Sequence, residues 1–566
     1  MRIRSRSAAA LAAGVLAAGG VTAAVVAASP GDPTDRSSVP AQTKTLGISS
    51  PNVLSPGLDE VAVAQGSTKL ENPAPAVRFY GYDSHVPGGT DTSAQAPFLP
   101  LAATSQQEAQ KTEPDKNTYL TLRGQKGADP SYDYGTHFLF QGHETGTPGY
   151  ISRINLDADA AHRVTLLATA EKDGTTALPP IDGSTWDPWA KRLLFTSEAL
   201  TTGGVWQATT DVPSTVVNLQ GIIGIGGYEG IQNDSDGNLW IVEDVGGKSG
   251  TTNNFAKQPN SFVYRFKPYD PTDLTKGGKL QVLQVGSLQT PGQPIAFNGP
   301  ATGSATGAQA DADILSADTK DLHTYGHTLD TKFVTIHDTA TDGTTPFNAN
   351  AAAKTAKGTP FKRPENGQFQ PGSGFRTFFF DETGDTDNRT QAAPDFGGFG
   401  DVQRLELNWP GSDKGKLRLF YRGDQEHAGI DNVTFLSKSK IAFVEDAGDT
   451  LHTQRNALDS AWLFDAGADY SQPGAPAPVR FIAEGRDPSA TLDSAGGPLV
   501  AGNEGDNEIT GIHASDGDPS RWGILGAKTP RVFRDGSWRL FWTQQHGDNT
   551  TWEVFRGDLP HGGWGD

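Results

Sequence analysis

Eight carboxylates fall in or beside short apolar runs of the chain: Glu144, Glu198, Glu229, Glu243, Asp244, Asp431, Glu445 and Asp446. A set of oxygen ligands suits a hard cation such as Ca²⁺, because several carboxylates together offset its charge. Carboxylates that converge without a cation repel one another. If the loops carrying these acids meet at one mouth, a cation is close to required. Any one of them alone reads equally well as a solvated charge on a loop, worth little to stability. The reading as a site rests on their repetition.

That repetition is internal to the sequence. Gly227-Tyr228-Glu229 opens a segment that closes in Val242-Glu243-Asp244, and Gly429-Ile430-Asp431 opens another that closes in Val444-Glu445-Asp446 at the same spacing. A looser copy runs from Ser184 to Glu198. Each reads as acidic loop, strand, hairpin, strand, acidic loop. Units of roughly 40–50 residues built this way are propeller blades, with acids at the strand ends lining a funnel. A β-sandwich is the alternative arrangement of the same strands.

The elements that must position these acids are short and β-like. Tyr119–Leu122, Leu193–Thr196, Leu239–Val242, Phe378–Phe380, Ile441–Val444 and Trp538–Trp542 are apolar runs bounded mostly by Gly, Pro, Asp or Asn. Asp236-Gly237 and Asp535-Gly536 are dipeptides of tight hairpins. Asp234-Ser235-Asp236-Gly237-Asn238 has the opening of a calcium loop without the length or flanking helices of one, and is expected to be a hairpin turn. The expected fold is all-β, a propeller with long loop insertions.

Composition agrees. Among 566 residues there are 68 Gly and 37 Pro, so turns are abundant. The net charge of -20 argues against a nucleic-acid partner. There is no Cys, so disulfides and thiolate metal ligands are excluded. No P-loop, Gly-x-Ser-x-Gly elbow or His-Glu-x-x-His motif is present. Arg2, Arg4 and Arg6 precede an Ala-rich apolar stretch ending at Ala28, the pattern of a cleaved export signal. The expected organisation is therefore a signal peptide at 1–28, an irregular Pro- and Ser-rich extension at 29–75, and one propeller domain at 76–566. Residues 300–358, dense in Ala, Thr, Asp and Gly, are expected to be a long loop insertion, either a lid or a surface excursion. The mature protein is expected to be secreted and monomeric, with no membrane contact after signal cleavage.

Five segments, in order, resemble the PhoX-type alkaline phosphatases. Gln141-Gly142-His143-Glu144 with Ser152-Arg153-Ile154 resembles that family's opening blade. The run Ile181 to Trp189, followed by Glu198, is similar to its Cys-Ala-Gly-Gly-x-Thr-Pro-Trp region and the Glu after it. Tyr228-Glu229-Gly230 is similar to its His-Glu-Gly, Arg363-Pro364-Glu365-Asn366 to its Arg-Pro-Glu-Asp, and Asp431-Asn432 through Glu445-Asp446 to its Asp-Asn…Cys-Glu-Asp blade. The matches run from about residue 137 to about residue 450. The resemblance implies six blades and hydrolysis of phosphomonoesters with iron and calcium in the central mouth. It implies metal ligation by Glu144, Glu198, Glu229 and Glu365, with Asp431 beside them, and a grip on a phosphate oxygen by Arg363. Asp182, Glu243, Asp244, Glu445 and Asp446 stand as further candidates.

One departure bears on the chemistry. The family's iron-binding Cys falls at Ile181 or Asp182 here, so iron cannot be held by sulfur; Asp182 offers an oxygen, which favours Ca²⁺. Iron remains open only without Cys ligation. The expected function is a secreted metal-dependent phosphatase acting on a small phosphorylated substrate. The alternatives are another calcium-dependent hydrolase on the same scaffold (phosphodiesterase, phytase-like or lactonase) or a calcium-stabilised propeller that binds without catalysis.

Overall fold

The computed structural model describes residues 32–44, 51–82, 111–146, 148–303, 305–486, 508–545 and 549–559. The export signal expected at 1–28 lies outside the described residues. No helix among the described residues is long and apolar enough to cross a membrane.

Six antiparallel blades surround one axis. The first consists of Pro114–Thr121, His137–His143, Ile151–Asn155 and Val164–Ala168, and the second of Ser184–Asp187, Arg192–Ser197, Gly204–Ala208 and Val216–Asn218. Tyr228–Asn233, Leu239–Glu243, Val263–Pro268 and Gly278–Val285 form the third; Gly367–Phe369, Thr377–Glu382, Asp401–Leu407 and Lys414–Arg422 form the fourth. The fifth is Ile430–Phe435, Lys440–Glu445, Ser460–Asp465 and Val479–Ala483, and the sixth is Glu508–Ser515, Arg539–Gln545 and Thr550–Arg556. The first strand of each blade is innermost. These six strands touch in succession, and the sixth touches the first, so the ring is closed.

Strand periodicity explains the closure. Alternate residues of a strand face opposite sides, and each blade is sandwiched between two others. Leu193 and Phe195 therefore pack into the core between blades one and two, while Leu194 packs between two and three. Phe378 and Phe380 face blade three, and Phe379 faces blade five. Phe443 turns to blade four, Ala442 and Val444 to blade six. Phe541 closes the last interface against Tyr119 and Leu139 of blade one. This two-sided burial is why the central strands read as continuous apolar runs.

Two expectations need correction. The extension at 29–75 is not wholly irregular: Val53–Leu54 pairs with Val479–Ala483 at the edge of blade five, and Leu58–Ala64 pairs with Thr550–Arg556 as the outer strand of blade six. Leu58 and Val63 are buried by that pairing. The insertion at 300–358 is not one loop. It holds helices Gly307–Ile314, Ala317–Leu322 and Ala349–Thr355. It also holds strand Leu329–Asp338, which pairs with the outer strands of blades three and four and joins them into one nine-stranded sheet. Asp234–Asn238 is the expected hairpin turn. Asp234 Oδ1 accepts the Asp236 and Asn238 amides, and Gly237 takes a φ of 79° that a side chain would disfavour. Asp535-Gly536 instead sits in the long connection before Arg539–Gln545.

The N-terminal strands tie the first described segments to the last two blades. Deleting residues 51–64 is expected to lower the melting temperature sharply, measured by circular dichroism against a truncation that stops before residue 51.

Candidate metal centre

Among the described residues each blade offers the axis the start of its inner strand, and blades one to five also offer the residue just after the second strand. At the inner position stand Asp115, Asp182, Glu229, Glu365, Asp431 and Glu508. At the outer position stand Glu144, Glu198, Asp244, Thr383 and Asp446 in blades one to five. The acids at the strand starts are aimed by irregular backbone. In blades one, three and five the register of the inner strand shifts between Pro114 and Asn117, between Tyr228 and Ile231, and between Ile430 and Val433. Asp115, Glu229 and Asp431 sit in these bulges, which re-aim side chains that regular pleating would send between blades. Close backbone approach is provided by glycine. A Cβ on Gly183 would lie 2.1 Å from the Glu229 carbonyl oxygen, and one on Gly230 would lie 2.7 Å from that of Glu365.

The result is one chain of carboxylates. Ligand oxygens of Asp115, Asp182 and Glu229 lie within 4.8 Å of one another, as do those of Glu144, Asp182 and Glu198, and those of Glu229, Glu365 and Asp431. The same holds for Glu198, Asp244 and Glu365, and for Asp115, Glu144 and Glu508. The structure thus brings together Glu144, Glu198, Glu229, Glu365, Asp431, Asp182 and Asp244. Asp446 lies at the edge of the group, its charge felt by Asp115 and Arg363. Glu243 and Glu445 are not in it. Each is the last residue of a strand and faces away from the axis: Glu243 accepts from Tyr264 Oη at 2.9 Å, and Glu445 pairs with Arg455 at 3.1 Å. In both Val-Glu-Asp copies it is the Asp, one residue on, that turns inward.

Arg363 bridges two of the acids. Its Nε and Nη2 reach Asp244 at 2.9 and 2.7 Å, and Nη2 lies 3.4 Å from Glu365. Arg363 and Glu365 both precede the inner strand of blade four, which begins at Gly367. Arg363 adopts a left-handed φ of 58°, a conformation a non-glycine residue holds only when its surroundings fix it. Three residues of the site carry no sequence motif: Asp115, Glu508 and Lys116. Lys116 is buried in the first bulge and donates to Asn366 Oδ1 at 2.5 Å. Asn366 in turn donates to Glu229 at 3.4 Å and to Asp381 Oδ1 at 2.7 Å.

Nine carboxylates against Lys116 and Arg363 cannot all be ionised without compensation, since each uncompensated buried charge costs several kcal/mol. Burial, followed by neighbouring acids, pushes Glu144, Glu229 and Glu508 well above the ordinary range. Burial likewise raises Asp182, Glu365 and Asp431. Glu198 is pushed up to about 8 by burial and Asp244, and Asp115 to about 6 by burial. Burial works against the charge of Arg363, but Asp244 and Glu365 outweigh it.

A cation answers the same strain. Asp182 Oδ1, Glu198 Oε1 and Asp431 Oδ2 are buried without a hydrogen-bond partner. Donors of this set are oxygens only, which fits a hard ion. Of the two positions that match the family's Cys, Ile181 packs in the apolar core between blades one and two, and only Asp182 faces the axis.

No protein-family model matches the chain, and no curated protein matches it by sequence. Among solved structures, it is similar to Pseudomonas fluorescens PhoX in complex with vanadate, a transition-state analogue. That match has 11% identity and a TM-score of 0.53 and covers 92% of this chain and 98% of that one. At that identity the likeness shows a shared fold. A match to the α-L-arabinofuranosidase PaAbf62A from Podospora anserina, in complex with cellotriose, has 10% identity and a TM-score of 0.30 over 81% of this chain and 93% of that one, too low to carry an argument. The chain has a PhoX-like propeller fold with an acidic axial cluster.

The raised carboxylates fix the sign of a pH effect. Between the ordinary carboxylate range and the raised values, the folded protein keeps protons that the unfolded chain has released, so stability is present at low pH and lost as pH rises. Chelator-treated protein is expected to melt at a lower temperature at about pH 8 than at about pH 5, and added Ca²⁺ should remove most of that difference. Scanning calorimetry at both pH values checks this.

Proposed function

We propose that the chain is a secreted, metal-dependent phosphatase that hydrolyses phosphomonoesters at the axial carboxylate cluster, a divergent relative of the PhoX-type enzymes. The observation that carries this reading is the juxtaposition of Arg363 with Glu198, Asp244 and Glu365 at the mouth of a propeller of that fold. The structural neighbour holds vanadate, an ion that mimics a transferring phosphoryl group, which supports the same class of chemistry here.

In this reading Glu144, Glu198, Glu229, Glu365 and Asp431 hold cations, with Asp115, Asp182 and Asp244 beside them. Calcium is the favoured ion; iron would be bound through oxygen alone. Bound cations supply Lewis acidity and neutralise charge on the phosphoryl oxygens. The protein's own share is positioning. Asp244 grips Arg363 through Nε and Nη2, which leaves Nη1, without a partner among the described residues, to meet a phosphate oxygen. Glu144, Glu198 and Glu508 are only half-buried, so the cluster is reached from solvent through them. The acids exclude a polyanionic nucleic acid and admit a small phosphate ester only once cations are in place. Export of the mature chain as a monomer completes the proposal.

The test is release of nitrophenol from p-nitrophenyl phosphate. Activity is expected to vanish with chelator and return with divalent cation. Arg363→Ala is expected to lower turnover per substrate encounter by about a hundredfold while metal content stays intact. Glu229→Gln should lower both metal content and activity. Bound metal with no hydrolysis under any of these conditions would identify a metal-stabilised binding propeller instead.

A further inference from the structure

The insertion reaches the phosphate grip through one histidine. His323 caps the end of helix Ala317–Leu322, and its ring is buried against blade four, 1% exposed. Nδ1 faces the Thr319 carbonyl at 2.7 Å, a group that only accepts, so Nδ1 carries a proton. Nε2 stands between two carboxylates, 3.6 Å from Glu382 Oε1 and 3.6 Å from Asp401 Oδ2. Burial works against a positive charge on this ring, but Glu382 and Asp401 outweigh it and raise its pKa. Burial pushes Asp401 up to about 8, so Glu382 is the acid that balances the imidazolium. The same stretch of the insertion is fastened to blade four twice more. The Leu322 carbonyl accepts from Gln403 Nε2 at 3.4 Å, and Tyr325 Oη accepts the Arg422 amide at 2.8 Å.

Glu382, the last residue of blade four's second strand, carries this contact to the metal centre. Its Oε2 accepts the amide of Lys362 at 2.8 Å, one residue before Arg363. Thr383, next in sequence, holds the other side of the same turn. Its amide donates to the Arg363 carbonyl at 2.9 Å, and its Oγ1 donates to Glu365 Oε1. Lys362 Nζ is taken up by Asp385 at 2.6 Å, so among the described residues His323 is the one cationic side chain within ion-pair distance of Glu382. A left-handed Arg363 persists only while its surroundings hold it. A fully buried carboxylate that loses its counter-charge takes up a proton, and the Lys362 amide then loses an ionised acceptor.

We propose that His323 is a positioning residue for Arg363. Paired with Glu382, it fixes the Lys362–Arg363 backbone from which the guanidinium reaches Asp244 and Glu365. Bracing that turn is the task of the insertion. This role rests on the phosphatase reading, in which Arg363 meets the phosphate.

Calorimetric titration of the full-length protein, loaded with calcium and desalted, with inorganic phosphate tests it. His323→Gln is expected to weaken phosphate binding by about tenfold while calcium content stays unchanged. Because replacing a buried histidine could impair folding, the second variant is Glu382→Gln, which keeps the shape of its side chain and removes the charge. The same loss is expected. Neither replacement should weaken binding further in Arg363→Ala protein, because residues that act through one group are not additive. Phosphate binding undiminished in both variants would overturn the proposal. So would an equal loss with and without Arg363, which a merely structural role would produce. Wild-type protein that binds calcium but no phosphate would overturn the phosphatase reading, and this role with it.

Discussion

Mutual repulsion among carboxylates is the constraint around which this molecule is built. Nine acids from all six blades are held along one axis, with oxygens of neighbouring members within 4.8 Å. No local motif does this. It takes closure of the ring, so that residues far apart in sequence arrive together, and inter-blade cores firm enough to hold them there. The alternation of Leu193, Leu194 and Phe195, or of Phe378, Phe379 and Phe380, into successive cores is what makes the ring rigid. The folded protein must then either retain protons on these acids or accept cations among them.

Lys116 and Arg363 show how the repulsion is partly managed from within. Lys116 stands among Asp381, Asp431, Glu229 and Asp115, and Arg363 between Asp244 and Glu365. Both are held by unusual backbone, a bulge for Lys116 and a left-handed residue for Arg363. Local rules of regular structure are broken at the one place where side chains must be aimed against their electrostatic preference, as expected of a functional site.

Much of this was legible in the sequence, and the part that was not has physical reasons. The repeated acid–strand–hairpin–strand unit revealed blades three and five and brought Glu229, Asp244 and Asp431 to attention. Glu198 followed from the looser copy. The same spacing groups Glu243 and Glu445 with them, because it does not show that the last residue of a strand and the residue after it face opposite ways. Asp115, Lys116 and Glu508 gave no signal, since neither a bulge at the start of an inner strand, as at Asp115 and Lys116, nor the first residue of one, as at Glu508, leaves a mark beyond an ordinary Pro-Asp-Lys or Asn-Glu. The strand Leu58–Ala64 was hidden in Pro- and Ser-rich surroundings, though Val61 and Val63 alternate as a strand edge would. Helices of the insertion were obscured by Ala, Thr and Asp in short runs that cap and stop quickly. Thr306, Ser316 and Asn348 each cap one of them, a pattern visible only once the helices are known.

The account turns on whether the axial acids hold cations, and elemental analysis of the purified protein by mass spectrometry decides it most directly. At least one equivalent of a hard cation per chain is expected, calcium foremost, retained through desalting and lost from a variant carrying both Glu229→Gln and Asp431→Asn. Protein that carries no metal after exposure to calcium, yet folds and melts as the untreated protein does, would contradict it.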